Sequence, residues 1–324
     1  MTYDELFAST QSYTENTFPD TYLANGSSVS PTTQINTFIQ QAEQRIYNTV
    51  QFPSLRKNVT GTATVNNKYL SCPDDFLAPY SVAVVTDVTG GDINTGTYEY
   101  LLNKDVNFIR QAYPTPNDTG TPKYYALFGP TVSGSAISNE LSFILGPTPD
   151  TAYKVELHYY YYPVSIIRAQ LSSIGTITGG TGYINGTYFG VSLTGGTGEG
   201  AVATVIISNN EVSSVTITSP GCQYVVGDVL SASTTSIGGA GSGFSVPVTA
   251  VLNAEGRSWL GDNFDSVLLY GTLVEAYTFM KGEPDLLTLY NTKYNEALAM
   301  AKRLGDGMER QDAYRSGQFR QAVT

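Results

Sequence analysis

A sharp change of composition in the middle of the chain constrains the fold most. Residues 172–252 contain no Lys, Arg or His and only three acids, yet they hold 16 of the chain's 32 glycines. The segments on either side carry mixed charge and apolar residues at helical spacing. We therefore expect 172–252 to form a β-rich insertion, and the flanking segments to fold together as its host.

Length and charge narrow the functional classes. A chain of 324 residues predicts two or three domains, and 41% hydrophobic residues suffice for real cores. A net charge of −11 disfavours gripping nucleic acid, which needs clustered Lys and Arg, although DNA could slide past such a surface. Cys72 and Cys222 are isolated, which indicates packing rather than a disulfide framework or a metal site.

Targeting signals are not evident in the sequence. The first residues are polar and helix-like, so we expect no secretory signal and synthesis in a bacterial cytoplasm. The apolar runs are much shorter than the roughly 20 residues that a membrane-spanning helix needs. We therefore expect no membrane partner.

The two ends of the chain show helix signals. Thr2 and Glu5 fit a capping box, and Ser30-Pro31 is typical of a helix start. A helix is predicted from a cap at Asp262 to about residue 281, apolar on nearly every side and so buried on several sides. A last helix is predicted to run to about residue 304 and to end at the glycines of 305–307.

Residues between the helical ends alternate apolar and polar residues at strand spacing. The fold class predicted is α+β, with a discontinuous helical bundle at 1–57 and 255–304 and an antiparallel β barrel or sandwich at 58–168. The inserted all-β repeat domain is predicted at 170–254, and an extended C-terminal tail at 305–324.

A weak tandem repeat lies within the insertion. GYING at 182–186 matches QYVVG at 223–227, and GGTGEGAVATV at 195–205 matches GGAGSGFSVPV at 238–248. Each unit reads as a glycine-rich turn followed by an alternating strand. We expect each copy to bury its face against the other.

Catalytic and ligand sites are sought and not predicted. His158 is the only histidine and reads as a strand residue, while Asp74 and Asp75 are adjacent and diverge. The run 159–162 of four tyrosines could be an aromatic platform, but a strand packed on both faces is favoured. The glycine runs lack the Lys of a phosphate loop, and Asp228 alone is not a calcium site. We expect no catalytic, cofactor or metal residues and no enzyme.

A set of motifs carries a family resemblance. Its members are LSCPDDFLAPY at 70–80, LNKDVNFIR at 102–110, PKYY at 122–125, FILGPTP at 143–149, VELHYY at 155–160, WLGDN at 259–263, LVEAYTFM at 273–280 and DAYRSG at 312–317. Together they resemble the head-to-tail adaptor (connector) proteins of short-tailed bacteriophages. The resemblance covers about 1–168 and 255–324, so the glycine-rich repeat module is an addition to it.

The resemblance implies a structural protein of the virion. Adaptors of this family typically form dodecameric rings that join the portal protein to the tail nozzle or tail tube, with genomic DNA passing through without specific binding. A C-terminal extension commonly reaches the portal. The alternative is a tail fibre, receptor-binding or fibre-anchoring protein, which the insertion and its tyrosines favour.

Two groups of residues follow as candidates. The polar tail has too little apolar content to fold alone, so we expect a partner to order it. Its predicted portal contacts are Tyr314, Arg315, Phe319 and Arg320, with aromatic anchors and arginines that pair with acids. The predicted helical core and ring seam comprise Val267, Leu268, Val274, Tyr277, Leu286 and Tyr290.

Overall fold

A computed structural model describes residues 1–22, 28–115, 117–129, 132–133, 136–137 and 141–315 of the chain. Helices and mainly antiparallel sheets give a mixed α+β fold. The chain divides into two compact units. One unit comprises Met1–Val50 and Val164–Leu304, and the other comprises Gln51–Pro163 with Gly305–Thr324.

Six α-helices occur in the described ranges. They are α1 (Tyr3–Thr14), α2 (Pro31–Thr49), α3 (Val106–Ala112), α4 (Trp259–Asn263), α5 (Asp265–Met280) and α6 (Pro284–Arg315).

The first two helices begin where the sequence predicts. Before α1, the Thr2 hydroxyl accepts the Glu5 N–H at 3.4 Å and the Glu5 carboxylate accepts the Thr2 N–H at 2.8 Å, which completes the capping box. Before α2, the Ser30 hydroxyl accepts the Thr33 N–H at 3.1 Å, and Pro31 is the first helical residue. These caps satisfy backbone donors that have no partner inside the helix.

Two helix boundaries differ from the prediction. Asp262 lies inside α4, where it pairs with Arg257 at 3.0 Å, and the N-cap of α4 is Ser258. The last helix does not end at Gly305: α6 continues to Arg315. Glycine costs only about 1 kcal/mol in a helix interior, and good helix formers such as Met308 and Glu309 follow.

Eighteen short or long strands occur in the described ranges. They are β1 (Thr21–Tyr22), β2 (Ser28–Val29), β3 (Arg56–Thr62), β4 (Tyr69–Ser71), β5 (Phe76–Thr86), β6 (Thr97–Tyr100), β7 (Leu102–Asn103), β8 (Tyr124–Phe128), β9 (Val132–Ser133), β10 (Ala136–Ile137), β11 (Ser142–Gly146), β12 (Lys154–Tyr161), β13 (Gln170–Ile174), β14 (Gly186–Thr194), β15 (Glu199–Ser208), β16 (Glu211–Cys222), β17 (Val229–Ala232) and β18 (Val246–Leu252).

The unit of residues 51–163 contains two four-stranded sheets over one core. Their strand orders are β3-β12-β5-β6 and β4-β11-β8-β7. Phe143 is fully buried and packs against Phe76 and Tyr125, with ring centroids 5.5 and 5.6 Å away. Aliphatic residues of the first sheet, including Val84 and Leu157, complete this core. We call residues 51–163 the sandwich.

The other unit contains a six-stranded antiparallel sheet of order β13-β18-β17-β14-β15-β16. Its two edge strands, β13 and β16, also approach each other, so the sheet curls into a nearly closed barrel. Fifteen buried residues fill its centre. We call residues 170–252 the insert barrel.

Strands of the two repeat copies alternate in this barrel. Copy one supplies β13, β14 and β15, and copy two supplies β16, β17 and β18. The first strand of each copy pairs with the last strand of the other copy, β13 with β18 and β16 with β15. The middle strands β14 and β17 pair with each other. The order therefore has the same pattern when read from either edge.

Equivalent residues of the two copies make equivalent contacts across the barrel. Tyr183 and Tyr224 are buried, and each hydroxyl accepts a backbone N–H from the opposite copy, that of Phe244 at 3.0 Å and of Ala201 at 3.2 Å. A side chain at Gly241 would overlap the ring of Tyr183, and one at Gly198 would overlap the ring of Tyr224. Each tyrosine thus fills a seat that the other copy leaves empty.

Candidate assembly surfaces

Helix α5 forms the centre of the helical part, where it packs against α1, α2 and α4. Of the residues predicted for the helical core and ring seam, five are at most 8% exposed and Leu286 is half-buried; the five are Val267, Leu268, Val274, Tyr277 and Tyr290. Helix α6 reaches α5 through tyrosines, with the rings of Tyr277 and Tyr290 4.9 Å apart. The chain's own helices therefore cover these side chains.

Other apolar side chains of the helices remain open. Phe279 on α5 is 53% exposed, and Leu289 and Met300 on α6 are 49% and 71% exposed. The buried residues Tyr290, Tyr294, Leu298 and Ala301 lie on one stripe of α6, so Met300 faces away from the core. Exposed side chains of this size are available to a partner.

The insert barrel begins and ends at one place. The Ala169 N–H donates to the Asn253 carbonyl at 2.9 Å, and the Asn253 side chain donates to the Ser165 carbonyl at 2.8 Å. The closeness of residues 166–169 to 253–257 was predicted from the sequence, and this hydrogen bond confirms it. Antiparallel β13 and β18 continue the contact into the barrel.

A buried acid holds this root to α2. Glu43 is 5% exposed, and its carboxylate accepts the Ile166 N–H at 2.9 Å. Burial raises the pKa of Glu43 to about 7, and the bonds from the Ser165 hydroxyl and the Ile166 N–H lower it in part. Sequence reasoning missed Glu43, although it shares the apolar face of α2 with Ile39 and Ile46.

The helices also contact the barrel directly. The Tyr3 hydroxyl donates to the Asn36 side chain at 2.8 Å, and the Asn36 amide donates to the Cys222 sulfur at 3.1 Å. All three residues are buried, and burial raises the pKa of Cys222 to about 11. Cys222 is therefore a protonated packing residue, as predicted, and it lies where helix and barrel meet.

The residues considered for chemistry occupy structural positions. His158 is 39% exposed at its side chain and lies 3.7 Å from Glu156. Tyr159 and Tyr160 are both buried although successive strand residues face opposite sides, so this part of β12 is packed on both faces. Asp228 accepts bonds from the N–H and hydroxyl of Thr197 and from the Val225 N–H, which lower its pKa.

Within the described ranges, no three side chains of His, Cys, Asp or Glu converge as a metal site would require. No described helix combines the length and the apolar character needed to cross a bilayer.

The predicted portal contacts lie at the end of the chain. Tyr314 and Arg315 are the last residues of α6, and their side chains are outside the description. Phe319 and Arg320 lie outside the described residues. These four residues therefore remain a prediction.

Comparison with known proteins supplies the family. The family model described as SU10 adaptor protein matches residues 1–178, more than half of the chain. The chain belongs to the SU10 adaptor protein family. No curated protein matches it.

The adaptor match has an informative end. It covers α1, α2, the whole sandwich and β13, and it stops at residue 178, shortly after the insert barrel begins. The match agrees with the predicted resemblance to head-to-tail adaptors and supports a structural role as a phage adaptor. The adaptor family also indicates a virion component rather than an enzyme.

Proposed function

We propose that this protein is a head-to-tail adaptor that forms a ring, expected to contain twelve copies, between the portal protein and the tail nozzle or tail tube. The observation that carries the proposal is the adaptor family match over residues 1–178. The exposed apolar side chains of α5 and α6 support it, because a neighbouring copy would remove them from water.

The helical seam of this ring uses the outer side of α6. The six residues first predicted for core and seam divide between these roles. The buried five stabilise the helical part of each copy, and the half-buried Leu286 extends toward the seam with the exposed Leu289 and Met300. A seam needs side chains that the chain itself leaves uncovered.

The end of α6 binds the portal. A helix of 32 residues extends about 48 Å, which would carry Tyr314 and Arg315 far from Pro284. Phe319 and Arg320 continue this contact. Truncation after Gly307 should abolish portal binding and leave the helical core and the sandwich folded.

A matched variant separates contact from length. Replacement of Tyr314, Arg315, Phe319 and Arg320 by serine keeps the chain length and should weaken portal binding as the truncation does. Unchanged portal binding by both variants, measured by co-sedimentation, would remove these residues from the interface.

Acidic charge suits a channel through which DNA moves. The chain carries 28 acidic and 17 basic residues. Like charges repel, so a phosphate backbone passes such a wall without being held. No specific DNA contact and no cofactor form part of the proposal.

The insert barrel is peripheral to the ring. Because Ala169 and Asn253 are already hydrogen-bonded, deletion of residues 172–252 can be closed without moving α2 or α5. We expect the deleted protein to keep its helices and to assemble. Failure of the soluble, folded deletion variant to form rings would make the insert barrel part of the assembly.

A tail-fibre or fibre-anchoring role is the second candidate. The insert barrel exposes large apolar side chains, with Phe189 at 79% and Val225, Val226 and Val229 at 56–57%. Such residues are available for attachment of another protein. A fibre protein would form a trimer, whereas an adaptor would form a larger ring.

Native mass spectrometry with and without the portal protein tests both functions. A complex of twelve copies with the portal supports the adaptor. A stable trimer that ignores the portal contradicts the adaptor and favours the fibre role.

A further inference from the structure

The first sheet of the sandwich has two edge strands, β3 and β6. In the described part of the chain, β3 pairs only with β12, and β6 pairs only with β5. The outer edge of each therefore presents backbone donors and acceptors that a further strand could bind. Strand β3 is long for an open edge, with seven residues, six of them exposed.

The two edges carry opposite charge. Residues 56–68, which include β3 and the turn after it, contain Arg56, Lys57 and Lys68 and no acid. Residues 87–100, which end with β6, contain Asp87, Asp92 and Glu99 and no base. Two β3 edges would bring like charges together, whereas β3 against β6 joins opposite charges.

Strand direction also permits this pairing. Each neighbouring pair in β3-β12-β5-β6 is antiparallel, so β3 and β6 run in opposite directions within one copy. The β3 strand of a second copy placed beside β6 would again be antiparallel. The four-stranded sheet could thus continue from copy to copy with the same orientation.

One register places matching residues on matching faces. With Lys57 opposite Glu99, Arg56 lies opposite Tyr100, Asn58 opposite Tyr98 and Val59 opposite Thr97. The partners of Lys57 and Val59 in β12 are Tyr159 and Leu157, which face the core, and Glu99 and Thr97 lie on the same side of β6. Arg56 and Tyr100 both lie on the outer face, where a guanidinium can stack on a ring.

We propose that β3 of one copy pairs head-to-tail with β6 of the next copy in this register. A contact between two different edges repeats around a ring or along a filament, whereas a symmetric contact stops at a dimer. This inference rests on the proposed ring for its closure, and it adds a second seam, made by backbone hydrogen bonds. Lys57, which also reaches Asp75 of its own copy at 2.5 Å, would lie between two carboxylates.

Engineered cysteines test the register. Val59 is 39% exposed and Thr97 is exposed, while the native Cys72 and Cys222 are buried. Under mild oxidation the double variant V59C/T97C should give a ladder of covalent oligomers. Each single variant should stay monomeric on a denaturing gel, and a mixture of the two singles should give only dimers.

Controls exclude random collision. The pair T62C/T97C keeps the cysteines exposed but places them out of register and on opposite faces, so it should give no ladder. Dimers from V59C alone would indicate symmetric β3 pairing and overturn the proposal. Absence of a V59C/T97C ladder at the highest soluble concentration would overturn it as well.

The outcomes distinguish this inference from the proposed function. A ring seen by native mass spectrometry without the V59C/T97C cross-link overturns the edge pairing and leaves the adaptor role in place. A cross-linked ladder from a protein that does not bind the portal supports the edge pairing and contradicts the adaptor role.

Discussion

The sandwich and the insert barrel are both β-structures, but their cores are specified in different ways. In the sandwich, large rings such as Phe76, Tyr125 and Phe143 interlock. In the insert barrel, backbone approaches closely and glycines leave room for Tyr183 and Tyr224. One core therefore depends on the side chains that are present, and the other depends equally on side chains that are missing.

Removal of a ring should damage the sandwich most. Phe143 is fully buried, so Phe143→Ala should cost about 3–5 kcal/mol of unfolding free energy through lost burial and an unfilled cavity. Trp259, the only tryptophan, lies in the other unit. We expect the far-UV circular dichroism of urea unfolding to show an earlier transition while the Trp259 fluorescence transition stays unchanged. Phe108→Ala, at a 42% exposed ring, is the control.

Addition of one methyl group should damage the insert barrel almost as much. Gly221 has φ of +58°, and a Cβ there would overlap the carbonyl oxygen of Glu199. Gly221→Ala should cost about 3 kcal/mol, from the left-handed backbone and from overpacking. Gly227 has φ of +100° with open space, so Gly227→Ala should cost only about 1 kcal/mol. Equal thermal shifts for the two variants would refute the close-approach argument.

The root of the insert barrel adds a buried charge, which the sandwich core lacks among the described residues. Because the folded pKa of Glu43, about 7, exceeds its unfolded value of 4.5, the folded protein binds this proton more tightly. Stability from Glu43 is then fully present below pH 4.5 and is lost as pH rises to about 7. The loss amounts to about 3 kcal/mol.

Glu43→Gln should remove this pH dependence and keep an oxygen for the Ile166 N–H. Urea unfolding at pH 4.5 and pH 7.5, followed through Trp259, should show the variant gaining about 3 kcal/mol over the parent between these pH values. Glu255→Gln, at an exposed position, should not change the difference. A parallel pH response of the Glu43 variant and the parent would contradict the buried-charge account.

The smallest effect tests the symmetry of the insert barrel. Tyr183→Phe and Tyr224→Phe each remove one acceptor from a buried N–H and should each cost about 1–2 kcal/mol. Because the two contacts are equivalent, the two losses should agree within about 0.5 kcal/mol. Tyr188→Phe, whose hydroxyl is not in the barrel core, should cost less. Losses that differ widely would show that the copies are not energetically equivalent.

Local chemistry made several elements predictable. Thr2, Glu5 and Ser30-Pro31 act within three residues along the chain, so their caps could be inferred from spacing alone. The apolar surround of α5 likewise predicted burial on several sides, and α1, α2 and α4 cover it. The length of α6 was not predictable from its glycines, because each costs too little to end a helix by itself.

Long-range partners could not be inferred. The sequence repeat predicted that two copies pack together, but nothing in its spacing tells β13 to pair with β18 rather than with a strand of its own copy. The Asn36–Cys222 bond joins residues 186 positions apart, and no local pattern marks either one. Glu43 carried a signal, a carboxylate on an apolar helix face, whose partner Ile166 only the fold supplies.

The adjacent entry and exit of the insert barrel have a mechanical consequence. A pull along the backbone reaches Ala169 and Asn253 first, and these residues are hydrogen-bonded to each other. Tension would therefore cross between neighbouring strands at the mouth of the barrel and bypass its 83 residues, 170–252. In a particle whose neck is loaded when DNA leaves, such a module adds surface to the chain without lengthening the path along which force is carried.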